Sequence, residues 1–142
     1  MRITIATTFF VLTCLGSAYS QVAVIAHPSV PIDQIERTEL EDFYTGDIRK
    51  WSNGEPVIVF DLKLKSDVKK TFYSFLGKST SRMKSIWMKN MLSGEGNPPE
   101  ALKTEEDLLE KVAATPGSIG FISETKANGS VKVLIVIIEN DQ

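Results

Sequence analysis

The chain alternates between short apolar runs and segments in which apolar residues recur every three or four positions. Gln21-Val22-Ala23-Val24-Ile25-Ala26 is a β-branched-rich run stopped by His27-Pro28-Ser29, the pattern of a buried strand. Pro56-Val57-Ile58-Val59-Phe60-Asp61 repeats it after a turn signal at Asn53-Gly54, and reads as a strand covered on both faces. Between them Thr38-Glu39-Leu40-Glu41 has the form of a capping box with Thr38 as N-cap. It opens a helix that brings Leu40, Phe43 and Tyr44 to one face and ends before Gly46. Strand, helix, strand in that order predicts a right-handed crossover between parallel strands.

Three more helices follow. Ser66 caps a helix with Val68, Phe72, Phe75 and Leu76 at helical spacing up to Gly77. Ser79 or Ser81 opens another, with Met83, Ile86, Trp87 and Met91 as its stripe and Gly94 past its end. Asn97-Pro98-Pro99 reads as a rigid loop. Thr104 caps the last helix, where Glu105, Glu106 and Asp107 suit the positive end and Leu108, Leu109 and Val112 face inward. Pro116-Gly117 breaks the pattern. Ile119 to Ile122 and a buried run from Val131 to Ile138 then form two strands joined as a hairpin across Asn128-Gly129. The predicted architecture is α/β: a small, mixed, mostly parallel sheet flanked by helices.

The first twenty residues stand apart. Arg2 precedes an uncharged apolar stretch through Phe9-Phe10-Val11-Leu12 that ends at Leu15-Gly16-Ser17-Ala18-Tyr19-Ser20, with small residues placed for cleavage before Gln21. That is the form of a secretory signal peptide, too short in its apolar part for a membrane span, so the expectation is a leader at 1–20 and one domain at 21–142. Cys14 follows Val11-Leu12-Thr13, a poor match to the context of a lipid-modified cysteine, which favours an ordinary discarded leader over a lipid anchor. Cys14 is the chain's one cysteine, so cleavage leaves no thiol for disulfides, thiolate catalysis or metal binding. The formal charge of the whole chain is −2, and loss of Arg2 makes the remainder one unit more acidic. With no basic block, nucleic acid is disfavoured as a partner.

Little in the composition points to an enzyme. His27 is the single histidine, with no second ligand for a zinc site. Ser29, two residues on, could pair with it as a nucleophile, but no residue is marked to orient the pair. The carboxylates cluster in first turns of helices, where helix-end electrostatics accounts for them. Gly94-Glu95-Gly96-Asn97-Pro98-Pro99 lacks the third glycine of a dinucleotide fingerprint and opens no helix. Met83, Trp87, Met88 and Met91 read as core or helix-packing residues. No cofactor and no metal site is expected. The remaining constellation is Asp61-Leu62-Lys63-Leu64-Lys65-Ser66-Asp67, which leads from a strand's C-terminal end into a helix N-terminus. Open α/β sheets bind ligands at that edge, and free N–H groups of a helix start favour anions. Lys63, Lys65, Ser66 and Asp67 are therefore the candidate anion-binding residues, against the plainer reading of a capped connection with two solvated lysines.

Four segments, taken in order, resemble the phosphate-type periplasmic solute-binding proteins of phosphate ABC transporters. They are Val22 to Pro28 followed by Ile35; Leu40 through Trp51, with Tyr44-Thr45-Gly46 before the tryptophan; Phe72-Tyr73-Ser74-Phe75-Leu76; and Pro116-Gly117-Ser118-Ile119-Gly120-Phe121, which is similar to that family's Pro-Gly-Ala-Ile-Gly-Tyr. Trp87 to Pro99 resembles short, single-lobe relatives. The resemblance covers nearly all of residues 22–124 and implies one lobe of a type II periplasmic-binding-protein-like fold, no enzymatic activity, phosphate or another small anion as ligand, and a periplasmic home. A membrane transporter, or a second copy rebuilding the cleft, is the implied protein partner. The family's phosphate loop reads Arg-Ser-Asp-Gly-Ser-Gly-Thr; here the arginine and both glycines are missing, leaving Ser66 and the helix start behind it. The rival expectation is a structural or interaction module that kept the lobe fold without a ligand.

Overall fold

The computed structural model describes residues 21–139; residues 1–20, where the sequence predicts a leader and which include Cys14, lie outside the described residues. Five strands and four helices follow in the order β1 (Gln21–Ala26), α1 (Arg37–Thr45), β2 (Ile58–Leu62), α2 (Asp67–Leu76), α3 (Thr80–Leu92), β3 (Glu100–Leu102), α4 (Glu105–Ala114), β4 (Ser118–Ser123) and β5 (Lys132–Ile138), with a short 3-10 helix at Glu124–Lys126. They build one mixed sheet of order β3-β2-β4-β1-β5. β2 pairs in parallel with β3 and β4, whereas β1 runs antiparallel to both β4 and β5. Four strands thus point one way and β1 the other.

Two connections differ from the sequence expectation. β1 and β2 are not neighbours joined by a parallel crossover: β4 inserts between them, and β1 runs opposite to β2. β4 and β5 form no hairpin either. β1 lies between them, and the chain crosses its end through the 3-10 helix, with Asn128 Oδ1 accepting from the Ser130 N–H in the loop. Both differences have one cause: periodicity identifies a buried strand but carries no information about which neighbour it pairs with. As an edge strand, β5 is also less covered than its apolar run implies; Leu134 and Ile137 are buried, and Val133 and Ile138 exposed. β3, in the segment after Pro99, leaves no sequence signal because Glu100-Ala101-Leu102 is too short and too plain to show a period.

Helices cover both faces. On β4, Phe121 stacks on Phe72 of α2 with ring centroids 3.9 Å apart and 8° between planes, and Tyr44 meets the same Phe72 ring edge-on at 4.8 Å. Gly120, the preceding residue, points to the opposite face, where a Cβ would lie 2.6 Å from Leu108 and 3.3 Å from Val112 of α4. Adjacent residues of a strand face opposite ways, so α2 packs on one face, with α1 against it and α3 against α1, and α4 on the other. The core runs through both layers, from Val22–Ala26 to Leu40, Phe72, Met83, Leu108 and Ile122.

Most helix starts obey the sequence. Ser66, Ser79 and Thr104 accept hydrogen bonds from the N–H groups of Lys69, Arg82 and Asp107, capping α2, α3 and α4. α1 is the exception: it begins at Arg37 behind Glu36, without a side-chain cap, and Thr38 lies inside the first turn. On α3, Met83 and Trp87 are buried, but Met88 and Met91 are exposed, which corrects their assignment to the core.

Candidate functional site

β2 ends in Asp61 and Leu62, both buried, and the chain then turns through Lys63, Leu64 and Lys65, all exposed, to the Ser66 cap of α2. The Lys63 N–H donates to the Leu102 carbonyl at 2.8 Å, extending the β2–β3 pairing into the turn. This turn stands at the edge of the sheet where β2, β3 and β4 end, as the sequence predicts for a ligand-binding connection.

Beneath the turn sits a buried polar cluster. Asp61 accepts from the Leu62 N–H at 2.8 Å and the Tyr73 hydroxyl at 2.8 Å, and pairs with Lys69 Nζ at 3.3 Å. Lys69 Nζ also donates to the Leu62 carbonyl at 2.6 Å and lies 5.9 Å from the centre of the Tyr73 ring. Burial, and then the neighbouring Asp61 charge, hold the Tyr73 hydroxyl far above its ordinary pKa, so it stays a proton donor to the carboxylate. Asp61 is thus fully engaged, and its role is to fix α2 to the end of β2.

Above this cluster lies an open groove of about 600 Å³, running along one flank of α2 to the start of α3. Its walls carry Lys65, Ser66 and Asp67 at one end, Lys70 and Ser74 along the flank, and Lys78, Ser79 and Thr80 at the other; Lys69 and Tyr73 form its buried base. Of the four residues singled out by sequence, Lys65, Ser66 and Asp67 line the groove, and Lys63 does not. Ser66 Oγ is occupied by the Lys69 N–H at 3.2 Å, and Asp67 places a negative charge in the first turn, opposed to an incoming anion. Lys65 and Lys70 form no ion pair among the described residues, whereas Lys78 Nζ meets Glu41 at 2.7 Å. Lys70, Ser74 and Lys78 were missed by sequence reasoning; Ser66, Lys70 and Ser74 follow at four-residue spacing along one flank of α2, whereas Lys78 lies past its end at Gly77.

His27 stands at the opposite edge of the sheet, where its N–H donates to the Ser118 carbonyl at the start of β4. The structure does bring His27 and Ser29 together, with Nδ1 2.8 Å from Ser29 Oγ. The same Nδ1 accepts the Ser29 N–H at 3.0 Å, and Ser29 Oγ accepts the Gly117 N–H at 3.2 Å, so the pair closes a loop. It is remote from the groove.

The fold is shared with solved structures. One is assigned as a phosphate ABC transporter substrate-binding protein from Clostridium perfringens with bound phosphate (TM-score 0.68, 19% identity), another is an ABC-type phosphate transport receptor from Vibrio cholerae (0.66, 18%), and a third is PstS from Borrelia burgdorferi (0.60, 17%). Each match covers 82% of this chain but only 44%, 46% and 47% of the respective neighbour, so the chain spans less than half their length. No protein-family model and no curated protein matches the sequence. At these identities the likeness establishes the fold: a mixed α/β unit of the periplasmic-binding-protein type.

Proposed function

We propose, with the fold shared with phosphate-type substrate-binding proteins as the premise, that this chain is a non-enzymatic binder of phosphate or another small anion at the Lys63–Asp67 turn and the α2 N-terminus. The observation that carries the reading is the meeting of a Ser66-capped helix start with Lys65 and Lys70 on an open groove, at the sheet edge where α/β folds bind ligands. Lys63 adds long-range attraction from outside the groove. Export to the periplasm and service to an ABC transporter belong to the same reading, supported by the names of the structural neighbours and by the leader-like residues 1–20.

A single open face buries a small ion poorly, so the affinity of the isolated chain is expected to be modest. The test is thermal unfolding in buffer free of phosphate and sulfate, with phosphate, sulfate or chloride then added at matched ionic strength. An anion at about a hundred times its dissociation constant stabilises the fold by roughly 2.7 kcal/mol. A phosphate-selective rise in midpoint that shrinks in Lys65→Ala supports the site; no anion-selective rise removes it.

A second reading, an interaction module without a ligand, is favoured by α3. Met88, Met91 and Leu92 lie exposed on this helix, Leu92 at 79%. Concentration-dependent sedimentation that disappears in Leu92→Ser would favour this reading.

A further inference from the structure

The groove is larger and longer than a single phosphate needs. It holds about 600 Å³, in the range of sites for whole organic ligands. Ser66 and Ser74 both line it, and eight residues of helix span about 12 Å. Two helix starts border it, that of α2 at Ser66 and that of α3 at Ser79, each with N–H groups suited to an anion. Four lysines line it against one carboxylate, Asp67.

The base of the groove supplies independent support. Lys69 is only 8% exposed, and its ammonium has three donors, of which the Leu62 carbonyl and Asp61 take two. The third has no acceptor among the described residues, and Lys69 lines the groove. A buried charge with a spare donor gains from an anionic acceptor placed above it.

We infer that this groove takes an extended phosphoryl chain, with one anionic end at the start of α2 beside Lys65, its middle over Lys69 and Lys70, and its other end at the start of α3 beside Lys78. This rests on the anion-binding reading above and deepens it, since an orthophosphate ion would fill only the α2 end. In the free protein Glu41 holds Lys78, so an anion arriving at the α3 end competes with that carboxylate. The chemistry is shared by inorganic polyphosphate and by the triphosphate of a nucleotide.

The experiment is titration calorimetry of the chain from Gln21 onward, if that segment expresses folded by circular dichroism, or otherwise of the full chain, with orthophosphate, linear hexapolyphosphate and adenosine triphosphate at matched ionic strength and without divalent metal. Hexapolyphosphate is expected to bind at least about tenfold tighter than orthophosphate, a difference of about 1.4 kcal/mol. Lys78→Ala, at the α3 end, should weaken hexapolyphosphate severalfold and leave orthophosphate unchanged, and Glu41→Gln, by releasing Lys78, should strengthen hexapolyphosphate. Adenosine triphosphate equal to or tighter than hexapolyphosphate would identify a nucleotide as the source of the chain, and weaker binding an inorganic one. Equal affinity for orthophosphate and hexapolyphosphate, or unchanged affinity of both in Lys78→Ala, overturns the extended site while leaving anion binding at the α2 end in place. Absence of binding by every anion overturns both.

Discussion

Trp51 Nε1 donates to the Gly117 carbonyl at 2.9 Å, joining the loop before β2 to the loop before β4. Gly117 has φ +77°, and a Cβ there would lie 2.8 Å from the Pro56 carbonyl oxygen. Gly54 has a similar φ of +84° with nothing within 4 Å of its would-be Cβ. The two positions separate backbone strain from collision. Gly54→Ala is expected to cost about 1–2 kcal/mol, the strain of a left-handed L-residue. Gly117→Ala carries the same strain plus the collision with backbone, and should cost about 2–4 kcal/mol. Urea unfolding of both variants checks this; equal losses would mean that the loop yields and the close approach is unimportant.

The same pair explains which parts of the sequence were legible. Pro116-Gly117-Ser118-Ile119-Gly120-Phe121 resembles a receptor signature, and in the structure each distinctive residue has a packing task. Gly117 admits the Trp51 bond, Ser118 Oγ donates to the Val112 carbonyl at 3.1 Å, Gly120 admits α4, and Phe121 stacks on Phe72. Motifs of this kind report the fold, so the fold was readable from them. The candidate groove was readable only at its α2 end, where Ser66 follows a strand in sequence. Lys78 reaches the groove only because α2 turns back into α3 at Gly77, and that geometry has no local signature. Strand order was hidden for the same reason, since β1 pairs with strands about a hundred residues away.

Gly120→Ala tests the packing of α4. Its Cβ would meet Leu108 Cδ2 at 2.6 Å in a side chain with no exposed surface. Overpacking of this kind costs about 1–3 kcal/mol. Combining it with Leu108→Val should recover part of the loss, so the two changes are expected to be non-additive in a double-mutant cycle. Strict additivity would show that the helix shifts as a body.

The buried Asp61–Lys69 pair makes opposite predictions for breaking and replacing it. Lys69→Met leaves an uncompensated carboxylate under the groove and is expected to cost about 3–5 kcal/mol. Asp61→Leu with Lys69→Met replaces both charges by apolar groups and should cost less than Lys69→Met alone, although the Tyr73 hydroxyl then loses its acceptor at about 1–3 kcal/mol. Chemical denaturation of the single and double variants decides the matter. A double variant less stable than Lys69→Met would indicate that the carboxylate's bonds from the Tyr73 hydroxyl and Leu62 N–H outweigh the cost of burying it unpaired.

Acid should loosen the molecule through two glutamates. The Lys78 hydrogen bond holds Glu41 below its ordinary pKa, assisted by the Lys78 and Arg37 charges against a cost of burial. Burial pushes Glu105 up, but hydrogen bonds from the Ser123 N–H and Lys126 outweigh it and leave the carboxyl lowered. A carboxyl depressed by folding contributes stability that is present above its unfolded pKa, near 4.3, and is lost as pH falls through the lower folded value. Unfolding free energy should therefore fall from about pH 5 downward, and Glu105→Gln should flatten that slope. An unchanged slope in the variant would assign the acid sensitivity to other carboxylates.

Ser66 has two roles that substitution can separate. Its Oγ accepts the Lys69 N–H, so Ser66→Ala should cost about 1 kcal/mol through loss of the cap alone. Ser66→Asp retains a capping acceptor and, with Asp67, doubles the negative charge at the helix start. Stability in anion-free buffer should then remain within a few tenths of a kcal/mol of the parent, because aspartate and serine cap comparably. Anion binding at the same end should be lost, because a carboxylate now occupies the field that the N–H groups offered to the ligand. Thermal unfolding with and without phosphate reads both effects in one experiment. Ser66→Asp that retains the full phosphate shift would place the anion elsewhere in the groove, away from the start of α2.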